Sequence, residues 1–523
     1  MTFTQWFLFF FLVQLIHFLG TWRLYIKAGR KAWEAAIPVY NAVLLMKIIN
    51  RPWWWVILLF IPIVNLVMFP VIWVETIRSF GRNSSTDTFL VLVTLGFYTY
   101  YINYATDVKY IEDRSLKPRT STGEWVNSIL FAVIAATIVH TYFMQPFTIP
   151  TSSLEKTLLV GDYLFVSKFH YGARLPETAV AFPMVHDTIP FFGVKSYLNK
   201  PQIPYMRLPG FEEVERNDIV VFNWPVDTVN AFHQYGDGKY YFKPIDKKSN
   251  YVKRAVGMPG DSLQIINGKI HVNNEPLVLP GRAKPQFSYR GKTKGQGFNP
   301  RFLVERYGIT DGFGYRQEDN TFFIPALSEE NLKKLKSHPN VASIERVIDT
   351  STRTSKSIFP NTGKMPWNND NFGPVHIPKE GETVKLTPES MPFYRRIIET
   401  YEGSEMGVEN ELSLSGTQVL LNGLPVESYT FKQNYYWMMG DNRHNSEDSR
   451  YWGYVPENHI VGKPVFIWMS LDPNASGFDK IRWERMFTTV KGDAQPVSYL
   501  PYFLILLVII FAFNYFRKRR KNA

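Results

Sequence analysis

The chain has no cysteine among its 523 residues. That excludes disulfides, thiolate nucleophiles and cysteine-ligated zinc, and it leaves the compartment open. No G-x-S-x-G nucleophile elbow and no H-E-x-x-H zinc helix occurs. The ten histidines are scattered and read as surface or structural residues rather than metal ligands. There is no sustained repeat and no low-complexity tract. Acidic residues are in deficit: 46 Asp and Glu against 58 Lys and Arg, a formal charge of +12. Such a balance suits nucleic acid or anionic lipid. Apolar runs favour lipid, since short basic clusters lie beside them, "RKRRK" (517–521) being the plainest.

Crossing a bilayer as a helix takes roughly 20 apolar residues. Five stretches qualify or nearly do: Trp6–Leu19, Trp53–Val74, Phe89–Tyr104, Trp125–Phe143 and Tyr499–Phe516. The second is interrupted by Pro62 and Pro70. Lys and Arg gather on the cytoplasmic side of short loops. The basic tail therefore places the C-terminus inside, as does "DVKYIEDRSLKPRT" for the loop before Trp125. Both put one segment outside, roughly Met144 to Ser498. Five crossings also leave the N-terminus outside, and they set Arg78 and Arg82 on the outer face, against the charge rule. Met1–Gly20 lacks the basic start and small-residue site of a cleavable signal peptide.

Between the last two apolar runs, Gly and Pro punctuate short alternating segments such as "NDIVVFNWP", "SLQIINGKIHVNN" and "TQVLLNGLPVESY". These are strand and hairpin signals. The last two share an Asn-Gly pattern and read as two hairpins of one sheet. From about Pro285 to Leu414 polar residues dominate, with helices expected at 328–337 and near 390–401, as in an inserted subdomain.

Chemistry-bearing residues collect in "IPTSSLEKTLLVGD" (149–162), "RNDIVVF" (216–222), "YVKRAVGMPGD" (251–261) and "GDNRHNSEDSRYWGYVP" (440–456). A serine hydroxyl needs a base, and a lysine serves as one only when burial removes its charge. Lys156 stands beside Glu155, which keeps its proton on. Alternation along Tyr251, Lys253 and Ala255 puts Lys253 on one face of a strand and Arg254 on the other, a setting that suits burial. Lys253 is therefore preferred over Lys156 as base. Asp441, Arg443, Asp448 and Arg450 suit a buried ion-pair network, with Asn445 and Ser446 bonding locally.

In this order the segments resemble the bacterial type I signal peptidase family, whose motifs are a serine box ending in T-L-x-x-G-D, R-x-D-[IV]-V-V-F, Y-[IV]-K-R-x-x-G-x-P-G-D and G-D-N-R-x-N-S-x-D-S-R-x-[WF]-G. The resemblance covers 140–283 and 415–475. It implies a Ser–Lys serine endopeptidase in which Ser153 is the nucleophile and Lys253 the general base. By the same resemblance, Thr151 and the Ser153 N–H form the oxyanion hole and Ser446 orients the lysine. Asp441, Arg443, Asn445, Asp448 and Arg450 support the site. Neither metal nor cofactor is implied. The implied partners are signal peptides of exported preproteins, the lipid bilayer and the export machinery, with no nucleic acid. One departure stands out: the box reads "SLEKTL", with Glu155 and Lys156 in place of an apolar residue and a proline.

The expected architecture is membrane-anchored. N-terminal transmembrane helices (1–122, then 123–144) lead into a mainly β extracytoplasmic catalytic domain of signal peptidase or LexA-like type (145–284 and 415–495). A mixed α/β insertion occupies 285–414, a C-terminal transmembrane helix 498–516 and a basic cytoplasmic tail 517–523. The implied setting is the bacterial cytoplasmic membrane. Two other readings compete. Ser153-Leu-Glu-Lys156 fits the S-x-x-K motif of penicillin-binding proteins, which also needs S-D-N and K-T-G, both missing here. The other is a non-catalytic membrane scaffold that keeps the fold.

Overall fold

The computed structural model describes residues 1–118, 120–229 and 241–522. Three of its helices are long and apolar enough to cross a membrane: Phe3–Lys27, Ser121–Phe143 and Leu500–Arg520, of mean hydropathy 1.6, 1.7 and 1.9. The first, α1 (Phe3–Lys27), begins at a capping box in which Thr2 accepts from the Gln5 N–H and the Gln5 side chain reaches back. At 1.5 Å per residue it is about 37 Å long, enough to span hydrocarbon.

The other two expected crossings are corrected by the structure. Residues 40–105 fold into five shorter helices: α2 (Tyr40–Ile48), α3 (Trp55–Leu58), α4 (Val64–Ser79), α5 (Ser85–Val93) and α6 (Tyr98–Ala105). The 53–74 run breaks at Pro62–Ile63, where Ile63 takes φ 69° and proline offers no N–H to a continuing helix. The 89–104 run breaks at Leu95–Gly96, with φ 50° and 87°. Only glycine fits there, since a Cβ would lie 2.7 Å from the Trp73 ring. Pro70, by contrast, is carried inside α4. Leu24, Leu44, Met68, Ile77 and Ile102 are among the residues that give this bundle its own core.

Helix α7 (Ser121–Ile138) continues through a wider turn at Val139–Phe143 into β1 (Met144–Thr148), so the second span feeds directly into a sheet. That sheet is antiparallel. It runs β1, β2 (Asp162–Ser167), Ile460–Ser470, β3 (Ile219–Asn223), β4 (Asn250–Gly257), Tyr435–Met439 and Val455–Pro456, with Thr488–Thr489 paired outside this path to Ile460–Ser470. Alternation along β3 supplies two cores. Ile219 and Val221 join Leu154, Leu164 and Val166 on one face. Val220 and Phe222 join Ala255, Met438 and Trp452 on the other.

The two Asn-Gly hairpins form, but in separate sheets. Lys269–Val272 pairs with Ser262–Ile266, which pairs on its other side with Phe372–His376, whereas Leu412–Ser415, Gln418–Leu421 and Leu424–Pro425 make their own sheet. The strand from a distant segment intervenes, which local pattern cannot reveal. Residues 286–346 make a four-stranded sheet with helices Pro300–Tyr307 and Glu329–Lys336 around their own core. Phe359, Phe372, Tyr394 and Ile398 pack instead into the core that holds Leu263 and Trp437.

Candidate active site

Two antiparallel neighbours bring the site together. Lys253 lies on β4 directly opposite Val220 of β3, between Tyr251 and Ala255, which belong to the apolar face. It is only 3% exposed. Its Nζ is 2.8 Å from Ser153 Oγ. Ser153 sits in a single helical turn, Ser152–Leu154, at the end of an extended segment from β1. The turn is held by Asn442, whose N–H donates to the Ser153 carbonyl (3.0 Å) and whose side chain donates to the Ser152 carbonyl (3.2 Å).

Burial penalises the charged lysine and lowers its pKa from 10.5 to about 8, against the pull of the Asp448 and Glu447 carboxylates, which favour the charge. A dry amine at that value against a hydroxyl is an arrangement able to take the hydroxyl's proton.

Gly440 explains how the last motif closes on the serine. A Cβ there would meet Ser446 Oγ at 2.2 Å and the Ser153 carbonyl oxygen at 2.6 Å. Glycine is thus required for the 440–446 loop to lie against the serine turn. Ser446 is buried beside it and makes no hydrogen bond to Lys253. Thr151 is extended and exposed, immediately before the turn.

The ion pairs differ from those the sequence suggested. Asp441 is gripped bidentately by Arg254, at 2.8 and 2.6 Å, and accepts from Thr157 Oγ1 at 2.6 Å. Arg443 is not its main partner. Burial would raise the Asp441 carboxyl, but the Arg254 guanidinium overrides it and the pKa falls. Asp448 is held in the same way by Arg450, at 2.8 Å twice, and also accepts from the Gly440 N–H. Arg450 donates on to the Arg443 carbonyl, and burial pushes Arg443 itself down to about 10. Asn445 donates to Ser152 Oγ at 3.0 Å.

Sequence reasoning missed Arg254, Thr157, Gln286 and Asp311. Arg254 had a signal, its position on the strand face away from Lys253. Gln286 ties the serine box to the last motif by accepting from the Arg443 N–H and donating to the Glu155 carbonyl. Asp311, from the loop after Pro300–Tyr307, accepts from the side chains of Asn442 and Asn445. Neither had any local signature.

Lys156 makes its ion pair with Glu155 (3.7 Å) and points its Nζ toward Gly308. Glu155 is buried, which raises its carboxyl pKa against the pull of Lys156. The lysine bonded to Ser153 is therefore Lys253, and the serine box is a turn, where S-x-x-K chemistry needs a helix.

Comparison with known proteins adds the following. A family profile described as signal peptidase, peptidase S26, matches residues 122–321 and 386–469. A family of unknown function, DUF5684, matches 33–113. Three curated relatives, each named Signal peptidase I, are similar over most of their length. The protein of Buchnera aphidicola subsp. Acyrthosiphon pisum is 24% identical over 396 residues, 73% of this chain and 90% of that one. That of Haemophilus influenzae is 25% identical over 389 residues, 73% and 79%. That of Helicobacter pylori is 25% identical over 378 residues, 70% and 91%.

Proposed function

Because the chain belongs to the peptidase S26 family of signal peptidases, we propose that Ser153 is the nucleophile and Lys253 the general base of its reaction. The protein is a membrane-anchored serine-type endopeptidase that removes signal peptides. The observation that carries the residue assignment is the 2.8 Å contact between a buried amine and the Ser153 hydroxyl.

With Lys253 neutral, Ser153 Oγ–H donates to Nζ and Oγ attacks the scissile carbonyl carbon. The Ser153 N–H and the Thr151 hydroxyl take the charge that develops on the carbonyl oxygen. The lysine then returns its proton to the leaving amine, leaving an ester on Ser153. In the second half the same amine accepts a proton from water as it attacks the ester, and returns it to Oγ. The bidentate pair Arg254–Asp441 ties β4, which carries Lys253, to the 440–446 loop that holds the Ser153 turn, and Arg450–Asp448 braces that loop.

The substrate is the extended end of a signal peptide, laid along an edge of the sheet and cut after an Ala-x-Ala-like site. The β domain lies outside the bacterial cytoplasmic membrane and the basic C-terminus inside, in line with the charge of "RKRRK". The test is cleavage of a model preprotein by wild type, Ser153→Ala, Lys253→Ala and Lys156→Ala. The first two substitutions abolish turnover and the third retains it. Loss in Lys156→Ala with activity kept in Lys253→Ala would overturn the dyad.

A further inference from the structure

We propose that residues 28–118 enter the membrane as hairpins that all start and finish on the face remote from the β domain, with 85–105 a re-entrant hairpin lodged in that leaflet's hydrocarbon. This inference stands independently of the Ser–Lys assignment.

Two faces can be located from side-chain contacts. The N-terminus of α1 is at the β-domain face, because the Met1 amine and Trp6 Nε1 donate to the Gln202 carbonyl. The start of α4 is there too, since Ile63 packs with Ala181 and Tyr197. At the opposite face Lys27 pairs with Asp107. Glu75, near the end of α4, pairs there with Arg51 and Arg114, and Arg114 donates to Ser79 Oγ and the Ile49 carbonyl.

Each connection between α1 and α7 can then be followed. The 28–49 segment leaves at Lys27, turns near Asn41 beside Gln14 and Tyr25 part-way up α1, and returns to Ile49. The 52–79 segment rises from Arg51 to Ile63 and descends along α4 to Ser79. The 85–105 segment leaves from the turn after α4 and returns at Thr106–Asp107, beside Lys27. Its arms have nine and eight residues. Each is thus about 12–14 Å long, under half of a core about 30 Å thick. Its apex, Leu95–Gly96, meets Trp73 in the middle of α4.

Irregular backbone survives in hydrocarbon only when its polar groups are satisfied. Here they are. The N–H groups of Leu95, Gly96 and Phe97 donate to the carbonyls of Leu92, Val91 and Thr94, and the Tyr98 N–H donates to Thr94 Oγ1. What the hairpin shows outward is apolar: Phe89 is 65% and Leu95 69% exposed. Helix α6 of the hairpin packs on α1, as α4 packs on α7, and the fitting partner of this apolar surface is acyl chain. The arrangement also gathers Lys27, Arg30, Arg51, Arg78, Arg82 and Arg114 on one face, removing the outward placement of Arg78 and Arg82 that five crossings demanded.

A chain without cysteine is suited to the test. Single substitutions Ser85→Cys and Thr86→Cys, at the start of α5, are made in the full-length protein, with Ser115→Cys and Thr354→Cys as references for the two faces. Each is exposed to a membrane-impermeant maleimide in right-side-out and inverted vesicles. The expected result is that position 85 or 86 reacts at least tenfold faster in the vesicle orientation that labels position 115. Leu95→Cys is expected to react in neither orientation until detergent is added. Labelling of 85 or 86 in the orientation that labels position 354, or of position 95 from that same face, would overturn the proposal.

Discussion

If a buried amine is the base, the pH dependence of kcat/KM must follow its protonation, and one nearby carboxylate should move it. With a pKa near 8, about one Lys253 in eleven is neutral at pH 7. At the unperturbed 10.5 the fraction would be about one in three thousand, so burial is worth roughly 300-fold in competent enzyme, or about 3 kcal/mol. Glu447 lies at the rim of a cavity of about 530 Å³ with Tyr451 and Trp452, and its charge favours the protonated lysine. Glu447→Gln removes that pull. Glu447 is exposed, so solvent screening limits the effect, and a shift of about half a unit toward acid is expected. At pH 7 that is up to about a threefold gain in kcat/KM, shrinking as salt is raised and screens the wild-type carboxylate. The assay is cleavage of a soluble preprotein from pH 6 to 10 at two ionic strengths. A wild-type profile whose rise with pH is centred near 10.5, or a Glu447→Gln rise displaced toward alkali, would refute the reasoning.

Four further outcomes follow from the same geometry. Lys253→Met should abolish turnover yet stabilise the fold at pH 7 by up to about 3 kcal/mol in denaturant titration. The folded-state pKa lies below the unfolded one, so the charging penalty is full below pH 8 and fades as pH rises toward 10.5; the gain should vanish there. Gly440→Ala drives a methyl into Ser446 Oγ and the Ser153 carbonyl; a displacement of that order costs about 100-fold in kcat, with KM little changed. Asp441→Asn leaves the buried Arg254 charge unpaired and should destabilise the protein by roughly 3–5 kcal/mol, read as a lowered Tm. Thr151→Val should reduce kcat by about 100-fold, and Thr151→Ser should restore most of it.

The strand alternation around Lys253, the helix-length apolar runs at both ends and the motif order were all readable from local pattern, because each depends on neighbours within a few residues. Other features were not. Where the two inner apolar runs break depended on what Gly96 and Ile63 meet elsewhere, Trp73 in one case and Tyr197 in the other. The two Asn-Gly hairpins look alike in sequence and part company because Phe372–His376 claims one of them. Arg254 rather than Arg443 grips Asp441 because β4 lies beside Tyr435–Met439, a pairing of residues about 180 apart.

Sequence alone thus determined the kinds of residue available, their strand or helix periods and the basic clusters beside apolar runs. Tertiary structure alone decided that an amine one hundred positions downstream of Ser153 lies against its hydroxyl, and that it does so dry. The reason is that a lysine's charge state depends on what surrounds it in space, and the apolar wall beside Lys253 is assembled from strands far apart in the chain.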